Sequence, residues 1–267
     1  MEPLRPNESD CCNSGCNPCI LDVYEEQMKK YLNKQFYSTA TEDTYFYTFR
    51  YFGDGSQVMY EPGQHFLLRG CNNNDYFTRA YTPIPIGNQD PHSFTILVKL
   101  YKNGRMSKYF QHLHINDNTF WRGPYGEYKI NFKRKYILLI AQGTGIAPLF
   151  VVIQEILSND KCETFLQLFL CCRSDHNLVL REELYKASAY WNFSYEIFVS
   201  VQTRMVKEKY NEIIHPFRLG VADLKRYFET IHVCDVEVLM GGSEMFYNDI
   251  CAKLTECGIS INDIHQF

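Results

Sequence analysis

Two short segments of the chain carry residues whose types and spacing suit the binding of phosphates and flat rings. Residues 79–83 read Arg-Ala-Tyr-Thr-Pro, and residues 143–148 read Gly-Thr-Gly-Ile-Ala-Pro. On an extended strand, Arg79 and Tyr81 point to the same face. An arginine there can bind a phosphate through two parallel hydrogen bonds, and the tyrosine ring can lie against a flat heterocycle. The alternative interpretation is a strand end with a surface arginine.

Residues around this segment add further groups of the same kind. Thr82 offers a hydroxyl, and Lys99 and Tyr101 share one face of the next predicted strand. That strand leads into a turn from Gly104 to Ser107, which opens a short helix and presents free backbone N–H groups to a phosphate. In this order, the groups predict a flavin site that holds both the phosphates and the ring.

The second segment suits a second nucleotide. Gly143-x-Gly145 follows the continuous apolar run 136–141 and opens a helix, as a phosphate-binding turn requires. The third glycine of a dinucleotide fingerprint is missing, so a glycine-rich helix start is the alternative. Together the two segments predict an enzyme that moves electrons from a nicotinamide to a flavin and onward.

The elements that must position these residues fall into two classes. Residues 35–132 contain β-rich runs separated by turns, which predicts a small antiparallel barrel. Residues 133–267 alternate buried strands with helices, which predicts a doubly wound parallel sheet. Residues 1–34 form a separate segment, with a short amphipathic helix expected over 21–34.

Composition excludes several classes of function. The 267 residues carry a net charge of −4, so nothing global indicates a nucleic-acid partner. No run approaches the roughly 18 apolar residues of a membrane span. The first residues lack the apolar stretch of a signal peptide. We therefore expect a soluble protein, cytoplasmic or organellar.

Eleven cysteines are present, and Cys11, Cys12, Cys16 and Cys19 are clustered near the start of the chain. Cys16-x-x-Cys19 has the spacing of half a zinc site, but the second half is absent, and we predict no metal ligand set. Binding of one Zn²⁺ by this short segment, a redox-sensitive or partner-binding segment, and an inert tail stay open as alternatives. The other cysteines are expected to be reduced, buried thiols.

In these motifs the chain resembles the NADH–cytochrome b5 reductases, within the wider ferredoxin–NADP reductase class. The resemblance covers about residues 35–267, and in the cytochrome b5 reductase-like branch it extends to the cysteine-rich segment. The motifs that carry it are Arg79-Ala-Tyr-Thr-Pro83, Val98-Lys-Leu-Tyr101, Gly104-Arg-Met-Ser107, Gly123-Pro-Tyr-Gly126 and Gly143-Thr-Gly-Ile-Ala-Pro148. Residues 62–65 and Phe267 fit as well.

The resemblance implies an FAD-binding barrel followed by an NAD(P)H-binding domain, with a hydride passing from NADH to FAD and single electrons to a haem protein. It implies that Arg79 and Ser107 bind the flavin phosphates, that Tyr81 and Thr82 flank the ring, and that Thr144 lies near both cofactors. Tyr81, Thr82 and Thr144 are thus the expected catalytic residues. The expected cofactor-binding residues are Arg79, Tyr81, Thr82, Lys99, Tyr101, Gly104, Met106, Ser107, Gly143, Thr144, Gly145, Gly241 and Gly242.

The chain departs from the family pattern at three places. Gln142 replaces the first glycine of the nucleotide turn, Gly241 replaces a cysteine beside the nicotinamide, and Gln202 replaces an aspartate on the adenine ribose. Because a glycine leaves space and mobility at 241, we expect slower hydride transfer. A preference for NADH that is less sharp than the family's is also expected. Arg173 and Ser174 could meet a 2′-phosphate, or could lie in a solvated loop.

Basic residues near the flavin turn suggest the electron acceptor. Lys99, Lys102, Arg105 and Lys108 lie close together in the chain with no acidic residue among them, and Arg122 and Lys129 flank the next turn. Such charges would attract a small acidic haem protein, with a cytochrome b5 type expected. Lys99 and Arg105 could instead serve only the cofactor phosphates. Three alternatives stay open: a reductase for another acceptor, a flavoprotein without turnover, and an adaptor acting through its cysteine-rich segment.

Overall fold

The computed structural model describes Pro6 and residues 37–51, 57–72, 75–87, 90–201, 208–229 and 231–267. The predicted helix over 21–34, the four clustered cysteines and Gln202 lie outside these ranges. Within them, no helix is long and apolar enough to cross a bilayer.

The first half of the described chain is built from strands that pair antiparallel in two sheets. One sheet has the order β1-β2-β6-β5 and the other β4-β3-β7. Helix α1 (Arg105–His112) lies between β6 and β7. The strands are β1 (Tyr37–Thr39), β2 (Thr44–Arg50), β3 (His65–Asn72), β4 (Asp75–Tyr81), β5 (Pro83–Ile84), β6 (Ser93–Lys99) and β7 (Phe120–Tyr125).

Alternating side chains make the core of this half. In β3, Phe66 and Leu68 are buried while Arg69 is exposed, as expected for a strand with one face on the core. Phe94 packs edge-on against Trp121, with ring centroids 5.0 Å apart. The antiparallel first half is therefore confirmed.

The second half is a sheet of β8 (Tyr136–Gln142), β9 (Phe165–Cys172), β10 (Phe193–Val199), β11 (Ile213–His215), β12 (Val236–Gly241) and β13 (Ile264–Gln266). The described strands have the order β11-β10-β9-β8-β12-β13, and every pairing is parallel. The order reverses between β8 and β12, which is where open sheets of this kind bind ligands, at the carboxyl ends of the strands.

Helices cover both faces of this sheet, as a doubly wound fold requires. They are α2 (Ile146–Leu157), α3 (Arg181–Ala187), α4 (Val221–Phe228) and α5 (Glu244–Glu256). Helices α2 and α3 pack in one apolar cluster, and α4 and α5 in another on the opposite face. Strand β8 is buried on both faces, which explains its continuous apolar sequence.

The predicted elements differ from the structure mainly at their ends. The sequence pattern favours a helix over roughly 148–158, but helix α2 begins at Ile146, because Pro148 fits the first turn of a helix. The pattern favours a second helix over 180–190, but helix α3 ends at Ala187, because the chain turns there with Ala189 N–H bonded to Lys186 O. The tight turn expected over 123–126 is largely the end of strand β7.

The described cysteines are free thiols. Cys162, Cys171, Cys172 and Cys251 are buried as expected. The expectation of burial is wrong for Cys234, which is exposed because it lies in the turn before β12.

The two halves share an apolar boundary. Ile84 and Leu97 of the first half belong to the same buried cluster as Ala147 and Phe150 of helix α2. Tyr128, which follows β7, donates its hydroxyl to Glu237 Oε1 on β12 at 3.1 Å. The boundary therefore joins both halves beside the reversal point of the sheet.

Candidate active site

A cleft of about 760 Å³ lies between the two halves at the carboxyl ends of β8 and β12. Its size suits a cofactor site. Most of the predicted residues line it: Arg79, Tyr81, Thr82, Lys99, Tyr101, Gly143, Thr144, Gly145, Gly241 and Gly242. The flavin segment and the nucleotide segment, 60 residues apart in the chain, thus face one space.

Arg79 is exposed at the cleft on strand β4. One of its N–H groups donates to the carbonyl of Thr78 at 2.8 Å. A guanidinium has five N–H donors, so the others can still bind a phosphate. The residue therefore suits the role predicted for it.

Tyr81 is held by the aromatic core of the first half. Its ring packs edge-on against Phe110 at 5.7 Å and against Trp121 at 6.2 Å. Burial raises the pKa of the phenol, so Tyr81 stays neutral across the physiological range. A ring fixed in this way beside Thr82 offers a flat contact to a flavin at little cost in side-chain entropy.

Gly104, Met106 and Ser107 do not line the cleft. Ser107 is buried, and its Oγ accepts the backbone N–H of Tyr101 at 2.8 Å. Met106 packs in the core beside Phe110. The hydroxyl hydrogen of Ser107 and the first-turn N–H groups of α1 are the groups that a phosphate could use. Their role stays a prediction.

Lys99 has an acidic partner that sequence reasoning missed. Its Nζ lies 3.0 Å from Asp43 Oδ2. Burial acts to raise the pKa of Asp43, but hydrogen bonds from Lys99, Thr44 and Thr41 outweigh it and bring the pKa below its usual value. Asp43 precedes β2, which pairs with β6, so only the strand pairing brings the two charges together.

The two nucleotide loops pack backbone against backbone. A Cβ added to Gly145 would lie 2.3 Å from the carbonyl carbon of Gly241, and one added to Gly241 would lie 2.0 Å from Gly145 O. The expectation of free space at Gly241 is wrong, because the Gly145 backbone fills it. Gly143 has a φ of +54°, in the left-handed region that favours glycine.

Several residues of the cleft are not among the predicted catalytic or cofactor-binding residues. Tyr128 and His265 lie ring to ring at 4.6 Å, and both line the cleft with His65. Burial lowers the pKa of His65 and of His265, so both rings are neutral near pH 7. Arg173 also lines the cleft, whereas Ser174 Oγ donates to Asn177 Oδ1 at 2.9 Å.

These residues fit both expected cofactors. The Arg79 guanidinium and the fixed Tyr81 ring line one wall, which suits a flavin with its phosphates. A glycine turn that opens helix α2 stands on the other, which suits a nicotinamide nucleotide. Among the residues that the structure describes, no cluster of side chains could hold a metal ion.

Comparison with known proteins identifies the two halves. The model of an oxidoreductase FAD-binding domain matches residues 34–130, and that of an oxidoreductase NAD-binding domain matches residues 139–251. A third model, the N-terminal part of an oxidoreductase-like protein, matches residues 1–39. A human protein named NADH-cytochrome b5 reductase-like is 32% identical over 96% of this chain and 93% of its own length. The chain belongs to the NADH–cytochrome b5 reductase family.

Solved structures agree with this family in fold. The cytochrome b5 reductase domain of Ulva prolifera nitrate reductase is 22% identical, with a TM-score of 0.72 over 86% of this chain and 94% of that chain. The CS-b5R domains of human Ncb5or reach the same TM-score at 21% identity, over 86% of this chain and 67% of theirs. The ferredoxin–NADP reductase-like fold expected from the sequence is confirmed.

As a member of the NADH–cytochrome b5 reductase family, the chain is an oxidoreductase of the FAD- and NAD-binding type. This confirms the expected enzyme class and the expected cofactors, FAD and NADH. Gln142 and Gly241, two positions at which the chain departs from the family pattern, both line the cleft. Both belong to the side of the cleft that the two glycine loops form.

Proposed function

We propose that this reductase takes a hydride from NADH onto FAD and passes single electrons to cytochrome b5. The observation that supports it is that one cleft is lined both by the flavin wall of β4 and β6 and by the two nucleotide loops. FAD, when bound, supplies the chemistry that accepts two electrons as a hydride and releases them one at a time.

The contribution of the protein is mainly positioning. Thr82 and Thr144 line the cleft from its two opposite walls, and hydride transfer requires the reacting atoms at roughly 3 to 3.5 Å. Tyr81, His65 and His265 are neutral, so they neither add charge beside the rings nor exchange a proton near pH 7. The hydride step needs no acid or base, which agrees with this environment.

The acceptor proposal depends on the charges around the flavin turn. Lys99 pairs with Asp43, and Arg105 pairs with Asp75. Lys102 and Lys108 are exposed, and neither takes part in an ion pair within the described residues. Steering of an acidic partner therefore rests on fewer positive charges than the local sequence indicates, with Arg122 and Lys129 as exposed neighbours.

A charge-reversal experiment tests the acceptor. Lys102→Glu with Lys108→Glu should lower kcat/KM for cytochrome b5 by about tenfold or more at low ionic strength. Reduction of ferricyanide should stay nearly unchanged, and the effect on cytochrome b5 should shrink above about 0.1 M salt.

The matched control reverses Lys133 and Lys161, which are also exposed. They precede β8 and β9, at the amino-terminal ends of these strands, whereas the cleft lies at the carboxyl ends. The acceptor proposal is wrong if both double variants lose the same activity. It is also wrong if the first variant loses ferricyanide and cytochrome b5 reduction equally.

An absorbance spectrum before and after NADH separates the remaining alternatives. A yellow protein that NADH bleaches is an enzyme, and a yellow protein that stays coloured is a flavoprotein without turnover. A colourless protein would favour an adaptor acting through its cysteine-rich N-terminal segment.

A further inference from the structure

Two side chains bridge the two nucleotide loops at one wall of the cleft. Ser243 Oγ donates to Gln142 Oε1 at 2.9 Å, although the two residues are far apart in the chain. Gln142 is the last residue of β8, and Ser243 caps the N-terminus of α5. A Cβ on Gly242 would lie 3.1 Å from Gln142 Cβ, so the glutamine stem crosses closely over that glycine.

The hydrogen bond from Ser243 sets which way the Gln142 amide faces. Ser243 Oγ accepts the backbone N–H of Phe246 at 3.3 Å, as an N-cap serine does. Its single hydroxyl hydrogen is then free to bond to Gln142, and only the Oε1 atom can accept it. Consequently Nε2, with two N–H donors, is on the other side of the amide. No hydrogen bond from Nε2 occurs within the described residues, and Gln142 is exposed to the cleft.

The position of the bridge decides which part of NADH lies beside it. The hydride must reach the flavin wall at Tyr81 and Thr82, so the nicotinamide end lies at the β8 and β12 loops. The adenine end then extends toward the end of β9, where Arg173 and Asn177 line the cleft. The nicotinamide carries a carboxamide, whose oxygen accepts hydrogen bonds.

We propose that Gln142 Nε2 donates to the carboxamide oxygen of the nicotinamide, and that Ser243 is the positioning residue that orients it. In this chain Gln142, which departs from the family pattern, and Ser243 act together as one recognition element. The inference rests on the NADH half of the proposed function and is independent of the electron acceptor.

The test compares two ligands on the FAD-loaded protein by calorimetric titration. NAD⁺ carries the carboxamide, and ADP-ribose lacks the nicotinamide but keeps the adenine, riboses and diphosphate. Gln142→Glu keeps an acceptor for Ser243 but loses the donor. This variant should weaken the binding of NAD⁺ by about three- to tenfold relative to the binding of ADP-ribose. The added charge acts equally on the phosphates of both ligands, but it also attracts the cationic nicotinamide ring of NAD⁺. Gln142→Met, which removes the donor without adding a charge, is therefore the matched variant and should lower the ratio by a similar factor.

Ser243→Asp tests the orientation separately. Aspartate is as good an N-cap as serine, so the helix should stay capped. A carboxylate only accepts hydrogen bonds, so it would bind Gln142 Nε2 and turn Oε1 toward the ligand. The ratio of NAD⁺ to ADP-ribose affinity should fall as in Gln142→Glu, with the melting temperature near that of wild type. Ser243→Thr keeps the hydroxyl and should restore the wild-type ratio.

Three results would overturn the proposal. If Gln142→Glu and Gln142→Met leave the ratio of NAD⁺ to ADP-ribose affinity unchanged, Gln142 is not a donor to the carboxamide. If the ratio falls in Gln142→Glu but stays at the wild-type value in Ser243→Asp, Ser243 does not orient the Gln142 amide. Equal weakening of both ligands would mean that the bridge holds the loops without contacting the nicotinamide. Failure of NADH to bleach the wild-type flavin is a separate result, which would refute the proposed function itself.

Discussion

Replacing Gly145 by alanine tests whether the loop contact positions the nicotinamide. Gly145 has a φ of −63°, so alanine adopts its backbone conformation without strain. The added Cβ would nevertheless lie 2.3 Å from Gly241 C, 2.4 Å from Gly241 O and 2.5 Å from Gly242 N, all of them backbone atoms. Non-bonded carbon atoms rest about 3.5 to 4.0 Å apart, so the loops must separate by about 1 Å.

A displacement of that size is large for hydride transfer. A misplacement of about 1 Å can lower a rate by roughly 100-fold, because the reacting atoms leave their close approach. We therefore expect the limiting rate of flavin reduction by NADH, measured anaerobically by stopped flow, to fall by about that factor. Bound FAD should be unaffected, since Arg79 and Tyr81 belong to the other wall.

Gly258→Ala is the matched control. Gly258 follows α5, has a φ of +87° and would place a Cβ with nothing within 4 Å. This variant should lose about 1 to 2 kcal/mol of stability through its left-handed backbone and reduce its flavin at the normal rate. Reduction of Gly145→Ala at a rate close to wild type would refute the reasoning. By the same geometry, Gly241→Cys should slow hydride transfer, the reverse of what the family pattern indicates.

Three further predictions concern the flavin, the domain boundary and the nucleotide. Arg79→Ala should lose a charge-assisted phosphate contact worth about 1.5 to 3 kcal/mol and lower bound FAD by roughly tenfold or more; full flavin absorbance after gel filtration at sub-micromolar protein would count against it. Burial raises the pKa of Glu237, so the folded protein loses stability as pH rises from the unfolded value of 4.5 through the folded pKa. Glu237→Gln should therefore raise the melting temperature more at pH 8 than at pH 4, and an equal rise at both would contradict this cause. NADH should be preferred over NADPH by less than about 1,000-fold in kcat/KM with ferricyanide, and Gln202→Asp should increase the preference by repelling a 2′-phosphate; no increase would exclude position 202 as the determinant.

Local sequence predicted most of the strands and helices, and the family resemblance supplied most of the cleft residues. Strand β8 could be recognised because burial on both faces requires a continuous apolar run, and Gly143 because it ends that strand and opens a helix. Strand β7 was missed because Gly123 and Pro124 are typical of turns. Its place at the edge of a sheet permits the proline there, since an edge strand has unpaired backbone groups.

Contacts between distant parts of the chain could not be predicted. The pairing of Lys99 with Asp43 follows from the register of β2 and β6, which no local pattern contains. The approach of Gly145 to Gly241 depends on two loops that only the finished sheet brings together. In both cases the residue types were visible, but their partners depend on tertiary packing.

The apolar boundary between the halves has a consequence for how the enzyme exchanges its nucleotides. Ile84 and Leu97 share one buried cluster with helix α2, so swinging the halves apart would expose this cluster to water. Hydrophobic boundaries resist such hinge motion, whereas polar ones allow it. NADH must then enter, and NAD⁺ leave, through the open mouth of a cleft whose walls keep their spacing. For the same reason, each half cut out as a fragment would carry a bare apolar face and aggregate, and heating the intact chain would melt both halves in one transition.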